Sequence, residues 1–169
     1  AAYGMTYALR SDGQIFRWGG SSTVPVPVTP PFALAAAKQV SAGGDTATGF
    51  SCGLLAGGGV RCWGDNQYGQ LGNGMTTDLV LSVPQDLTLG GSAMTARSIA
   101  TGATHACAIL ATGEVACWGH DNEGQVGNDA DLVDQTAPVL VPNVANARAV
   151  ALGNEFSCAL RSAGDVTCW

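Results

Sequence analysis

Four tryptophans, at positions 18, 63, 118 and 169, constrain this chain more than any other feature, because the residues before each of them align without gaps over fourteen positions. The aligned segments are Met5-TYALRSDGQIFR-Trp18, Phe50-SCGLLAGGGVRC-Trp63, His105-ACAILATGEVAC-Trp118 and Phe156-SCALRSAGDVTC-Trp169, spaced by 45, 55 and 51 residues. Self-similarity at a period of about fifty residues marks a repeat architecture. Five residues before each Trp stands a Gly (Gly13, Gly58, Gly113, Gly164). Three before it stands Ile15, Val60, Val115 or Val166, and nine before it Leu9, Leu54, Ile109 or Leu160. Apolar alternation on both sides of a Gly-containing turn predicts one β-hairpin per repeat, near 5–18, 50–63, 105–118 and 156–169.

Two copies continue past the Trp as Gly64-DNQYGQLGNG and Gly119-HDNEGQVGND, so that Gly69, Gln70 and Gly72 correspond to Gly124, Gln125 and Gly127. Gly that tolerates positive φ, beside Asn and Asp that bond nearby backbone, predicts turn-rich connections. Pro-containing stretches follow, Val24-PVPV-Thr29, Val80-LSVP-Gln85 and Pro138-VLVP-Asn143. Proline cannot donate to a ladder, which predicts that these strands lie outermost. A further short strand, Val40-SAG, Ile99-ATG or Val150-ALG, leads into the next hairpin. Four short strands per repeat, arrayed radially, are the make-up of a propeller blade. The expected fold is all-β, one repeat domain of about four blades across residues 1–169.

These residues carry a resemblance. The run Val60-Arg61-Cys62-Trp63-Gly64 with Asn66 and Gly69-Gln70-Leu71-Gly72, and the matching set at 115–127, resembles the repeats of the RCC1 (regulator of chromosome condensation) β-propeller superfamily, in a disulfide-bearing, secreted bacterial-type variant. The resemblance extends over essentially the whole chain. It implies a propeller that usually closes with seven blades, so four hairpins make a partial propeller or a segment of such a ring. The first copy departs from the pattern, with Gly19-Gly20-Ser21-Ser22 and no GQLG, and the loop around Gly44-DTATG-Phe50 is about four residues longer than its counterparts. The chain starts at Ala1 with neither an initiator Met nor a signal layout, and stops at Trp169 within the pattern, which suggests a piece of something longer. A half-open propeller exposes strand edges and an apolar face. Self-association, the remainder of a parent chain or head-to-tail stacking is therefore expected to cover them.

Six cysteines fall into three pairs ten residues apart, Cys52 with Cys62, Cys107 with Cys117 and Cys158 with Cys168, each straddling the hairpin Gly. If residues whose numbers sum to 114 face each other in the second copy, Leu54 meets Val60 and Cys52 meets Cys62. Opposed antiparallel residues have Cα atoms about 4.5 to 5.5 Å apart, within disulfide range. In the first copy both positions change together, to Tyr7 and Arg17. One disulfide per hairpin is thus expected in the last three copies, each adding roughly 2.5 to 3 kcal/mol. Zinc is the competing reading, but it favours closely spaced pairs such as C-x2-C, and each hairpin offers two ligands without a nearby His. Disulfides point to an oxidising compartment, secreted, cell-surface or periplasmic. That argues against the nuclear guanine-nucleotide-exchange role for which the RCC1 family is named.

Thirteen acids against seven bases give a net charge of −6, with 12% of residues charged. Nucleic-acid binding needs a basic surface to release counterions, so a nucleic-acid partner is not expected. The longest apolar run, Phe32 to Ala37, is far short of a membrane span, and no membrane insertion is expected. His105 takes the place filled elsewhere by Met5, Phe50 and Phe156, which reads as a packed structural His. His120, with Asp121 and Glu123, has the makings of an acid/base group, but its counterpart is Asp65 in a similar loop, which favours a solvated turn. Ser157 has no nucleophile elbow. The acidic stretch 129–134 lacks a full calcium loop and reads as an exposed connection. Gly57-Gly58-Gly59 precedes no helix or Lys, so P-loop logic fails. The Thr/Pro-rich 21–32 reads as an edge strand, with an O-glycosylated segment as the lesser alternative, and no N-x-S/T sequon exists.

The function expected is a non-catalytic extracellular interaction scaffold, using loops at one rim: Asp65, Asn66 and Tyr68 from one repeat, His120, Asp121 and Glu123 from the next. The alternative is a structural subunit that self-assembles into a ring or filament, and a propeller enzyme comes third, since a fold alone does not imply function. No cofactor and no metal are called for.

Overall fold

Each repeat's Gly supplies the left-handed backbone its hairpin turn needs, with φ between 85° and 93° at Gly13, Gly58, Gly113 and Gly164. The computed structural model describes residues 4–19, 22–28, 36–44, 49–78, 86–129 and 132–169. The first blade holds β1 (Met5–Leu9), β2 (Ile15–Gly19) and β3 (Ser22–Pro27), in that spatial order. The second holds β4 (Ala37–Gly44), β5 (Gly49–Leu55) and β6 (Val60–Gly64). A two-stranded ribbon that the repeat pattern does not anticipate, β7 (Thr88–Leu89) with β8 (Ser92–Ala93), lies in the connection to the third blade. That blade shows all four strands, β9 (Ala96–Thr101), β10 (His105–Leu110), β11 (Val115–Gly119) and β12 (Gln135–Leu140). The fourth comprises β13 (Ala147–Leu152), β14 (Ser157–Arg161) and β15 (Val166–Cys168). The Pro-bearing β3 and β12 are outermost, as their missing donors require, and the corresponding 80–85 stretch lies outside the described residues.

The hairpin register is the one the repeat spacing predicts: Leu54 opposes Val60, Cys52 opposes Cys62, and in the first blade Tyr7 opposes Arg17. Three disulfides follow, Cys52–Cys62, Cys107–Cys117 and Cys158–Cys168, with Cα atoms 4.1, 4.0 and 4.1 Å apart. These separations are shorter than expected because each bond sits at a pair that exchanges no ladder hydrogen bonds, where strands approach most closely. In the fourth blade the flanking residues Ser157 and Trp169 exchange both backbone bonds, at 2.8 and 2.9 Å.

A one-residue alternation gives every blade two unlike faces. One carries the disulfide with its aliphatic neighbours (Cys107, Cys117, Ile109, Val115). The other carries small residues and the Trp (Ala106, Ala108, Ala116, Trp118). The core lies between blades and joins the disulfide face of each to the Trp face of the next. Phe50, Cys52, Leu54, Val60 and Cys62 cluster with Ile99, Ala106, Ala108 and Trp118, and the third blade's disulfide face clusters with Val150, Ala159 and Trp169 of the fourth. Full burial of each such aliphatic side chain contributes about 1.5 to 3 kcal/mol.

The first strands of successive blades approach through glycine. A Cβ on Gly43 would stand 2.2 Å from the Gly102 carbonyl oxygen, and one on Gly102 would stand 2.6 Å from that of Gly153. Beside these glycines sit the rings of Phe50, His105 and Phe156 from the same blades. The sequence reading assigned the stretches ending in Gly43, Gly102 and Gly153 as strands but missed this role. The equal three-residue spacing of Gly102 before His105 and of Gly153 before Phe156 was the available signal, obscured at Gly43 by the longer loop before Phe50.

Candidate functional site

The loops after Trp63 and Trp118 each anchor the next blade. The Trp118 indole N–H donates to the Gln70 carbonyl, and the Trp169 indole N–H donates to the Gln125 carbonyl, both at 3.0 Å. Gln70 and Gln125 are wholly buried and turn their side-chain oxygens back to the Tyr68 and Glu123 amides, each at 2.9 Å. Gly72 and Gly127 are obligatory here, since a Cβ would stand 2.8 and 2.3 Å from the Cδ1 atoms of Trp118 and Trp169. The motif expected to be a turn thus reads the tryptophan of the following repeat. Trp63 follows the copy that lacks GQLG, and it meets Tyr7 edge to face at 6.2 Å instead. The four tryptophans hold equivalent hairpin positions, but Trp63 and Trp118 are buried whereas Trp18 and Trp169 are half-buried.

Two of the expected contact residues turn out to be internal staples. Asn66 is fully buried: its side-chain oxygen accepts the Leu71 amide at 2.9 Å, and its amide group donates to the Met75 and Thr77 carbonyls at 2.8 and 3.0 Å. Asp121, the counterpart, is 1% exposed and accepts the Val126 amide at 2.8 Å. Burial pushes the Asp121 carboxyl above its ordinary value, partly offset by that bond. Both are corrected from contact residues to loop organisers, because the turn's backbone donors need acceptors inside it. Asp134, at the end of the acidic stretch 129–134, has an equivalent in Asp78. Asp134 accepts the Asp121 amide at 3.1 Å as Asp78 accepts that of Asn66 at 2.7 Å, a match hidden by a one-residue difference in loop length.

The remaining residues form a rim across two blades. The Tyr68 ring stacks on the His120 ring, with centroids 4.2 Å apart and planes 30° from parallel. His120 lies 3.4 Å from the Thr104 hydroxyl through Nδ1 and 3.8 Å from Asp134 through Nε2. It is half-buried and packed, not a solvated turn residue. Asp65 caps the adjoining loop by accepting the Gly49 amide. Glu123 and Asp129 are exposed. Residues 64–78 and 119–134 contain no Lys or Arg. Bases gather at the opposite rim, where Arg10 pairs with Asp12, Arg161 pairs with Asp165 and Arg97 donates to the Ala147 carbonyl. Behind the acidic rim a groove of about 300 Å³ is lined by Asp121, Leu132, Val141, Val144 and Trp169. His105 is set apart from the rim, fully buried between the third and fourth blades with Nε2 2.9 Å from the Ser157 hydroxyl.

Antiparallel blades of up to four strands, the third and fourth docked through Trp118 and Trp169 into the loops before them, define this protein as a segment of a β-propeller. It belongs to the Regulator of chromosome condensation (RCC1) repeat family: residues 57–109 and 112–160 match one description of that repeat, and 37–70 and 96–125 match a second. The chain is similar to the Ultraviolet-B receptor UVR8 of Arabidopsis thaliana, 32% identical over 112 residues, which is 65% of this chain and 24% of that protein. Its fold is similar to that of yeast RCC1 (Prp20) solved with Kap60, at a TM-score of 0.81 and 21% identity, covering 99% of this chain and 42% of that one. It is also similar to the ectodomain of the Physcomitrella patens receptor kinase CR4, at a TM-score of 0.59 and 24% identity, covering 100% and 39%. The chain therefore spans less than half the length of these proteins.

Proposed function

We propose that this RCC1-repeat segment is a non-catalytic protein-interaction scaffold of an oxidising compartment, secreted or at the cell surface, that holds a basic polypeptide segment against its acidic rim. The observation that carries this reading is the segregation of charge. The two loops after Trp63 and Trp118 carry Asp65, Asp78, Glu123, Asp129 and Asp134 without one Lys or Arg among them, and they meet through the Tyr68–His120 stack, with Asp134 3.8 Å from His120. A surface of single sign steers and retains a partner of opposite sign, and an aromatic platform offers a face to Arg or Lys. Three cross-strand disulfides support the compartment, since such bonds persist where glutathione does not reduce them. The yeast RCC1 complex with Kap60 and the CR4 ectodomain lend the reading precedent, one for protein binding on this fold and one for an extracellular setting.

An oligo-arginine peptide followed by fluorescence anisotropy tests it. Binding is expected to weaken about tenfold or more between 50 and 300 mM salt, and to weaken again when Gln67 and Glu123, both exposed, are changed to Lys. Binding that ignores both salt and the Gln67→Lys/Glu123→Lys variant would remove the acidic rim as the contact surface.

A further inference from the structure

The innermost strands β4, β9 and β13 share an irregularity at one repeat position. Ala37 opposes Leu55 while Gln39 opposes Leu54, Ala96 opposes Leu110 while Ser98 opposes Ile109, and Ala147 opposes Arg161 while Ala149 opposes Leu160. One residue is left unopposed in each strand: Lys38, Arg97 and Arg148 in turn. A β-bulge re-aims the side chain it carries, and one that recurs at the same place in three blades is a built feature. All three cations are exposed, although the Ala before each is buried. Arg97 has a blade on either side and is exposed all the same, so its accessibility does not depend on where the row of blades starts or stops. These strands hold three of the chain's seven basic residues and none of its thirteen acidic ones.

We propose that Lys38, Arg97 and Arg148 form an anion-binding row along the inner edge of the blades, and that its ligand is an extended acidic peptide with carboxylates on alternate residues. The row lies at the hairpin-turn end of the blades, opposite the acidic rim, and is independent of it. Backbone bonds fix its spacing: the Ala96 amide donates to the Gly58 carbonyl at 2.8 Å and the Ala147 amide to that of Gly113 at 3.0 Å, which ties each strand start to the turn of the blade before. Arg97 donates to the Ala147 carbonyl, and this brings its guanidinium to the residue next to Arg148. Carboxylates of the same rim are held by other partners, Asp12 by Arg10, Asp86 by Arg61, Asp165 by Arg161 and Glu114 by Thr112. Lys38 and Arg148 form no ion pair among the described residues. Neighbouring cations without carboxylates attract a ligand of opposite sign. Packed sheets stand about 10 Å apart and close in where glycine lines the inner edge, and alternate side chains of an extended peptide stand about 7 Å apart, so one carboxylate reaches each cation. A single small ion would need its donors gathered at one point, whereas these are dealt out one to a blade.

Fluorescence anisotropy with a fluorescein-labelled peptide of alternating Glu and Ser tests the proposal on the 169-residue chain and two variants. Both variants lower the net charge equally: Lys38→Gln with Arg148→Gln on the row, and Arg17→Glu at an exposed position on β2 of the first blade. All three substituted side chains are exposed, and Arg97 is left intact because it bonds the Ala147 carbonyl. Circular dichroism establishes that both variants fold. The unmodified chain is expected to bind the peptide saturably at low salt, the Lys38→Gln/Arg148→Gln protein about tenfold or more weakly, and the Arg17→Glu protein within about twofold of the unmodified chain. Millimolar inorganic phosphate at constant ionic strength is expected not to displace the peptide. Absence of saturable binding, an equal loss in both variants, or displacement by phosphate would each overturn the proposal. Tighter binding of an oligothymidylate of the same charge would overturn it too, by giving the row to a nucleic acid.

Discussion

His105 ties the third blade to the fourth, and acid should loosen that tie. Ser157 has one hydroxyl proton, which it donates to the Gln125 carbonyl at 2.9 Å. Its bond to His105 at 2.9 Å must therefore use the imidazole Nε2–H, leaving Nδ1 as the bare acceptor. Nδ1 is buried without a partner, so a proton placed there has nothing to bond. Burial, with a smaller push from the charge of His120, lowers the His105 pKa from 6.5 to about 4. Between those values the unfolded chain binds a proton that the folded chain refuses, so stability rises with pH in this window. It is fully present above about pH 6.5 and falls by about 1.4 kcal/mol per unit on acidification, reaching about 3 kcal/mol by pH 4. His105→Phe, which installs the residue already present at Phe50, should cost about 1 kcal/mol at pH 7 for the lost hydrogen bond and flatten the dependence. Urea unfolding followed by tryptophan fluorescence at pH 7, 5.5 and 4.5 gives the difference between the two proteins, in which the carboxylates and His120 cancel. Equal slopes for the two proteins would refute the argument.

Two further outcomes follow from the same interfaces. Gly72→Ala places a methyl 2.8 Å from the Trp118 ring at a residue with φ of +68°, and should destabilise by about 2 kcal/mol or more with a red-shifted tryptophan emission, whereas Gly57→Ala, with open space around it, should change the melting temperature little. Replacing Cys107 and Cys117 together by Ala should lower unfolding free energy by roughly 2.5 to 3 kcal/mol, and non-reducing peptide maps of the unmodified chain should show links within each hairpin and none between repeats.

The hairpins, their register and the disulfides were legible in the sequence because they are local: a ten-residue spacing across a Gly turn leaves few ways for two strands to oppose. Outermost placement of β3 and β12 followed from proline's missing donor for the same reason. Contacts between repeats were not legible in that way. The GQLG segment reads as a turn until the next blade's Trp is seen seated on its glycine, and Asn66 and Asp121 read as exposed loop polars until the backbone donors they satisfy fold around them. The stack of Tyr68 on His120 joins residues from loops whose repeat counterparts, Glu123 and Asp65, are not aromatic, so no periodicity announces it. Sequence by itself determined the blade, since hydrogen bonding and alternation act over a few residues. Which face of each blade is buried, which tryptophans are sealed and which apolar residues stand open were decided by neighbours about fifty positions away, where only the packed structure brings the surfaces together.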